Sequence, residues 1–371
     1  MKTMLVLSMG ALLLAGTLSA QTPVPEWQAG VDKVKNLIQS NPAQASEEAG
    51  ELLKGKNKKN VDLVTSVAHV YLDAGKITEA QEYLAMAKKA NNKDPKVSVL
   101  EGDIALAQKN IGQACQLYEQ AIYFDPNCKE AYLKYAQAYK SASPTQAIEK
   151  LEQLKAVDPN CLEADRELAE VYYSGNRFGK AAEMYAKFID TPLATEDDML
   201  KYAFALFLNH DFEKSLQVAQ KGLQKNARHA AFNRLVMYNN TDLKRYEDAE
   251  KAADAFFNAS DRADYSYLDY RYYGALLSAL KKYDKAIIEY GKALDKDDTQ
   301  VDLWREISDA HEMNNNYAEA IAAYRKYYDA LAKEKKTPET LFQLGRLYYG
   351  QGTSSDSVSY THLTLPTTSR V

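Results

Sequence analysis

Cysteine, histidine, glycine and proline are all sparse in this 371-residue chain, which holds 3 Cys, 5 His, 16 Gly and 10 Pro. So few Gly and Pro exclude a many-turned β-sandwich or barrel and favour long helices. His69, His210, His229 and His311 stand far apart, and His311-Glu312 is not followed by a second His four residues on, so no zinc motif is present. No phosphate-binding loop occurs, and Gly350-Gln351-Gly352 lacks the rest of a dinucleotide fingerprint. Ser278-Ala279-Leu280-Lys281 fits S-x-x-K but closes a predicted helix and lacks the companion motifs of the enzymes that use it. The expectation is therefore a protein with no catalytic centre, no cofactor and no metal. Excess charge is lacking too: 46 Lys and Arg face 51 Asp and Glu, a net −5 that argues against nucleic-acid binding by wholesale phosphate neutralisation. With 46% hydrophobic and 26% charged residues, the chain is a folded protein, neither disordered nor membrane-embedded throughout.

The two ends differ from the rest. Residues 1–20 carry Lys2, an apolar run from Met4 to Leu18, and the small residues Ser19 and Ala20. This pattern reads as a secretory leader cleaved after Ala20. As a helix the run would reach about 22 Å, short of the ~30 Å hydrocarbon core of a bilayer. The mature protein is thus expected to be exported, to the periplasm, with no integral membrane segment. At the other end the helical pattern stops after Gly352, and residues 353–371 read as a non-native or disordered tail. From Val358 to about Thr367 the tail back-translates into DNA resembling a sequencing-library adapter. The expectation is that it is read-through and that the natural chain continues differently.

Between the ends, small residues recur on two interleaved ladders. One runs Ala68, Gly102, Ala136, Ala169, Ala203, Met237, Gly274, Ser308 and Gly345, in steps of 34, 34, 33, 34, 34, 37, 34 and 37. The other runs Ala80, Ala114, Ala147, Ala181, Ser215, Ala249, Ala286 and Ala320, in steps of 34, 33, 34, 34, 34, 37 and 34. Two ladders with one period mean a repeated helix-turn-helix hairpin. Many of the 27 Tyr fit this frame. Tyr71, Tyr139, Tyr172 and Tyr348 lie three after the first small residue, and Tyr118, Tyr185, Tyr290 and Tyr324 four after the second, each a turn away where a ring fills the space a small residue leaves. Asp125-Pro126-Asn127 and Asp158-Pro159-Asn160 stop one hairpin and start the next, while Ser143-Pro144 and Thr337-Pro338 have the form of an N-cap followed by Pro at the first helical position. The two 37-residue steps predict longer connections before the helices of Gly274 and Gly345. Met237 and Asn240 depart from the pattern, replacing a small residue and a ring.

On these residues, positions 61–352 resemble the tetratricopeptide-repeat family, with eight full repeats and the first helix of a ninth. The expected fold is an all-α, right-handed superhelical solenoid, preceded by an irregular helical hairpin over 21–60 with Trp27, Val31, Val34 and Ile38 on one face. Lys54, Lys56, Lys58 and Lys59 form a solvated linker before the array. Cys128 and Cys161 occupy equivalent sites one repeat apart, where packed helices stand about 8–10 Å apart. Cys115 and Cys128 are separated by most of one helix, roughly 20 Å. Three thiols without a bridge are expected.

The resemblance implies that the first helix of each repeat lines a concave surface that contacts ligand. Three residues before the small residue of that helix, Arg recurs as Arg234, Arg271 and Arg305 in consecutive repeats; one residue after it stand Tyr238, Asp309 and Arg346 among others. An Arg fork suits carboxylates, and a Tyr ring offers apolar area with a polar tip. The ligand-groove candidates are therefore Arg234, Arg271, Arg305, Tyr238 and Arg346, facing a protein or peptide partner of acidic character. Against this stands local pairing of each Arg with neighbours such as Glu306 or Asp309. The Asn that some family members use to hold a peptide's terminal carboxylate is absent. The expected function is an exported, non-enzymatic scaffold for protein–protein interaction. The alternatives are a carbohydrate- or peptide-capturing module, which requires Tyr267 and Tyr272 to share an exposed pocket, and the docking arm of an enzyme whose catalytic domain lies elsewhere.

Overall fold

A computed structural model describes residues 24–259 and 264–352. The leader and the tail, with what the sequence predicts for them, lie outside the described residues. All regular structure among the described residues is helical. Helices α1 (Gln28–Leu37) and α2 (Pro42–Leu52) form a leading pair, followed by α3 (Val61–Asp73) with α4 (Ile77–Asn91) and α5 (Pro95–Ala107) with α6 (Ile111–Phe124). The chain divides into two compact units between Ala142 and Ser143. Helix α7 (Lys129–Tyr139) closes the first, and α8 (Pro144–Val157) opens the second. The second unit continues with α9 (Leu162–Ser174) and α10 (Phe178–Phe188), α11 (Glu196–Leu208) and α12 (Phe212–Lys225), α13 (Ala230–Asp242) and α14 (Tyr246–Asp254). It ends with α15 (Tyr267–Ala279) and α16 (Tyr283–Lys296), α17 (Asp302–Met313) and α18 (Tyr317–Ala330), and α19 (Pro338–Gly350). The fold is an all-α repeat solenoid.

The small-residue ladders work by close approach. A Cβ added to Gly102 would lie 2.5 Å from the Tyr118 ring, and one added to Gly274 would lie 2.7 Å from the Tyr290 ring. Each ring sits sixteen residues after its glycine and is buried. The departure at Met237 obeys the same rule in reverse: sixteen residues on stands Ala253, and both are fully buried in one cluster. Volume is conserved across the contact while large and small exchange helices, the kind of swap a packed core tolerates best. Asn240, buried where a ring is expected, donates its Nδ2 to the Val236 carbonyl oxygen.

Seven of the turns inside the hairpins share one geometry. Gly75, Lys109, Asn176, His210, Lys244, Lys281 and Asn315 all take the left-handed conformation, with φ between +56° and +74°. In each case the next residue's N–H reaches back five residues, as in Lys282 N to Leu277 O at 2.8 Å and Lys76 N to Tyr71 O at 2.8 Å. This closes the first helix and satisfies carbonyls that would otherwise be orphaned. Lys281, the lysine of the S-x-x-K match, is such a turn residue.

Side-chain caps are used at other helix starts. Ser143 and Thr337 occupy N-cap positions with Pro at the first helical position, yet neither side chain makes a capping hydrogen bond. Full capping boxes occur instead at Thr195 with Asp198 and at Ser266 with Asp269. The longer connections are present: a π-helical turn over Ala255–Ala259 extends α14, and a 3₁₀ turn over Lys333–Lys335 lies between α18 and α19. All three cysteines are thiols.

Candidate functional site

Within the second unit α11, α13, α15 and α17 touch in series, so first helices form a continuous layer, with second helices stacked behind them. Residues three before and one after each small residue lie on this first-helix layer, which brings Arg234, Tyr238, Arg271, Arg305 and Arg346 onto one face.

Three of the four arginines are held by carboxylates of the following or preceding repeat. Arg234 donates from Nε to Asp269 Oδ1 at 2.6 Å and from Nη2 to Asp269 Oδ2 at 3.1 Å and to the Asp264 carbonyl oxygen at 2.9 Å. Its guanidinium lies 5.1 Å from the centre of the Phe256 ring. Asp269 is buried and also accepts from Tyr238 Oη at 2.7 Å, and from Ser266 N at 2.7 Å and Oγ at 3.0 Å. One carboxylate thus caps α15 and ties it to α13. The same device recurs at Asp198, which accepts from Arg166 Nε at 3.0 Å while forming the capping box with Thr195. Arg271 donates from Nε to both oxygens of Glu306, at 2.9 and 3.2 Å, and Arg346 donates to both oxygens of Glu312. Charge-assisted forks of this kind are among the stronger hydrogen bonds available to side chains.

Arg305 differs: among the described residues its nearest acid is Asp302, one turn away at 4.0 Å. Tyr238 is buried, with its ring stacked on Tyr272 at a centroid distance of 4.0 Å. Its hydroxyl is pushed far above the ordinary phenol range by burial and by the Asp269 charge, so it stays protonated and donates to that carboxylate. Tyr272 donates to Asp242 Oδ2 at 2.9 Å and belongs with the cluster around Phe207 and Tyr238, whereas Tyr267 packs against the next apolar cluster, which includes Tyr290 and Leu303. Among the described residues the two rings pack against different apolar clusters.

Tetratricopeptide-repeat sequences match this chain over residues 68–128, 136–193 and 274–335, three stretches in the register of the hairpins. The chain is a tetratricopeptide-repeat protein. No curated protein matches its sequence. Among solved structures, a tetratricopeptide repeat protein from Parabacteroides merdae is 14% identical, with 67% of this chain and 98% of that one covered at a TM-score of 0.41. PilF of Pseudomonas aeruginosa is 15% identical over 60% of this chain and 99% of its own, at 0.45. The tetratricopeptide domain of P58(IPK) is 18% identical over 88% and 99%, at 0.32.

The first unit of this tetratricopeptide protein uses the face in the same way. Asp103 accepts from Tyr118 Oη at 2.8 Å and lies 2.9 Å from His69 Nε2 and 3.0 Å from Lys134 Nζ. Burial alone would raise its pKa, but the His69 bond, the Lys134 charge and the Tyr118 bond together hold it below the usual carboxylate value. In the second unit Glu170 fills that register, accepting from Tyr185 Oη at 2.8 Å and from Lys201 Nζ at 2.9 Å. Sequence reasoning singled out the cations of this face and named Glu306 as a local partner, which Arg271 takes, but it missed Asp198, Asp269 and Glu312. A signal for them exists: opposite charges recur 32 to 35 residues apart, as in Arg166 with Asp198 and Arg234 with Asp269. Among the described residues no helix is long and apolar enough to cross a membrane.

Proposed function

We propose that this protein is an exported, non-catalytic scaffold that holds an extended segment of a partner protein against the first-helix face of its second unit. Tetratricopeptide arrays are protein-interaction scaffolds, and the leader-like residues 1–20 support export to the periplasm. One observation carries the choice of face: among the described residues, four of this unit's six exposed large apolar side chains are on first helices, among them Leu208, Met313 and Phe342, exposed by 43, 62 and 70%. Apolar groups left in water on several helices of one layer offer spaced contacts to an extended partner. A preformed face needs little ordering on binding, and contacts spread over several repeats add avidity. Arg305, with no hydrogen bond among the described residues, donates to the partner's backbone carbonyls or terminal carboxylate. Arg234, Arg271 and Arg346 act from within their carboxylate pairs, and Tyr238 supports them from beneath.

The test is capture of peptides from a displayed random library by the full chain, with Met313→Glu and Phe342→Glu as variants. Ile288→Glu, on second helix α16 and 58% exposed, is the control. Loss of capture in the first two and retention in the third is the expected result. Equal capture by all three variants refutes the assignment of the face.

A further inference from the structure

Net charge separates sharply between the two helix layers of the second unit. Its six first helices carry fourteen Asp and Glu against six Arg and Lys, a net −8. Its six second helices carry thirteen of each, a net of zero. The first-helix layer, in which arginines recur, is therefore acidic in sum.

Pairing within the protein leaves part of that charge unspent, most visibly on α17. Asp309 occupies the register of Asp103 and Glu170, one residue after the small residue of its helix. Those two carboxylates take a Tyr hydroxyl from the second helix and a Lys from the next repeat. Tyr324 stands where Tyr118 and Tyr185 stand, but it makes no hydrogen bond to Asp309, and Gln343, two residues before Gly345, occupies the place of the Lys and accepts from Arg346 Nε instead. Among the described residues no donor lies within hydrogen-bond distance of the Asp309 carboxylate. Burial raises its pKa, and Glu312 and Glu306 add to the effect against the opposing charges of Arg305 and Arg346. The arginine nearest in the chain that is not already committed, Arg305, is shared with Asp302. Two exposed apolar side chains belong to the same layer: Met313, one turn on from Asp309 in the same helix, and Phe342 on α19, at the register that Arg305 holds on α17.

Resting on the first-helix reading above, we infer that this face docks an extended segment rich in Lys and Arg with interspersed apolar residues. Its cations would meet Asp309 and Asp302, and its apolar side chains would cover Met313 and Phe342. The sign is opposite to the acidic partner that Arg234, Arg271 and Arg305 suggest in the sequence, because two of those three are neutralised inside the protein. Charge complementarity of this kind sets partner choice and the rate of encounter more than affinity.

The library capture described above tests this when the selected sequences are read for composition. The expected result is an excess of Lys and Arg over Asp and Glu. A selected peptide should bind the full chain less tightly as salt rises from about 0.05 to about 0.5 M, where screening shortens the reach of exposed charges. The Asp302→Asn/Asp309→Asn double variant, checked for native helicity by circular dichroism, should weaken that peptide about fivefold. Asp248→Asn on second helix α14 should leave it unchanged. Selected peptides that are acidic or neutral, or binding indifferent to the double variant, overturn the inference. Capture that depends on Met313 and Phe342 without a Lys/Arg excess overturns the charge assignment alone. A library that yields no peptide dependent on those two residues overturns the underlying reading as well.

Discussion

Replacing Asp269 by Ala should be among the most damaging single changes in the second unit. The carboxylate is buried and accepts five hydrogen bonds, two from Arg234, one from Tyr238 and two from Ser266. Removing one partner of a buried ion pair costs about 3–5 kcal/mol, since the other charge is left without compensation. Loss of the capping box on α15 adds about 1 kcal/mol. Two considerations reduce the sum. The Arg234 side chain is 23% exposed, so water reaches part of the guanidinium, and its bond to the Asp264 carbonyl survives. The expected loss is therefore about 3 kcal/mol, toward the lower end of that range. Because a repeat array can open locally, the assay is native-state hydrogen exchange resolved by helix, supported by urea unfolding. Protection should fall in α13 and α15 first. Asp269→Asn keeps one acceptor oxygen and should lose less, while Asp302→Ala, whose nearest arginine among the described residues lies 4.0 Å away, should stay within about 0.5 kcal/mol of the parent. A loss below about 1 kcal/mol in Asp269→Ala would mean that water replaces the carboxylate, and the clamp reasoning would fail.

Other changes should separate the roles of single positions. Gly102→Ala forces a Cβ to 2.5 Å from the Tyr118 ring and should cost about 1–3 kcal/mol, whereas Gly345→Ala, with nothing within 4 Å, should gain about 0.5–1 kcal/mol from helix propensity. Thermal melts of the two variants should move in opposite directions. Lys109→Gly, Lys244→Gly and Lys281→Gly relieve left-handed backbone at non-glycine residues and should each stabilise by about 0.5–1 kcal/mol; a destabilised Lys281→Gly would show that this lysine does more than turn the chain. Asp103 has a folded pKa below its ordinary value of 3.8, so it contributes stability above that pH and loses it as pH falls through the folded pKa. The stability gap between the parent and Asp103→Asn, measured by urea unfolding, should accordingly shrink on acidification, and a gap that grows refutes this. Thiol titration of the unfolded, unreduced chain should return all three cysteines, Cys115, Cys128 and Cys161; one thiol per chain would show a bridge.

The repeat is legible in the sequence because its cause is local and recurs. A small residue allows two helices to cross, a ring sixteen residues on fills the gap, and both survive as one-letter patterns. Gly102 with Tyr118 and Gly274 with Tyr290 show it directly, and even Met237 becomes regular once Ala253 is read with it. The hairpin turns are far less legible. Only Gly75 and the asparagines signal left-handed backbone; Lys109, Lys244 and Lys281 take it because the helices on either side dictate it, and nothing in a lysine announces that.

The face itself is legible in position but not in sign. Counting arginines at one register finds the right helices, since that register follows from the ladder. What it omits is the partner carboxylate, which stands at a different register of the next repeat: Asp269 is the third residue of α15, while Glu306 is one residue after Arg305 in α17. Such pairs can be assigned only when the offset between adjacent first helices is known, because a shift of one residue turns a side chain by about 100° around a helix. Once those pairs are subtracted, the recurring guanidiniums largely cancel. What remains on α17 is an unmatched Asp309 with Arg305 and Asp302 nearby, a charge pattern that selects for cations rather than against them.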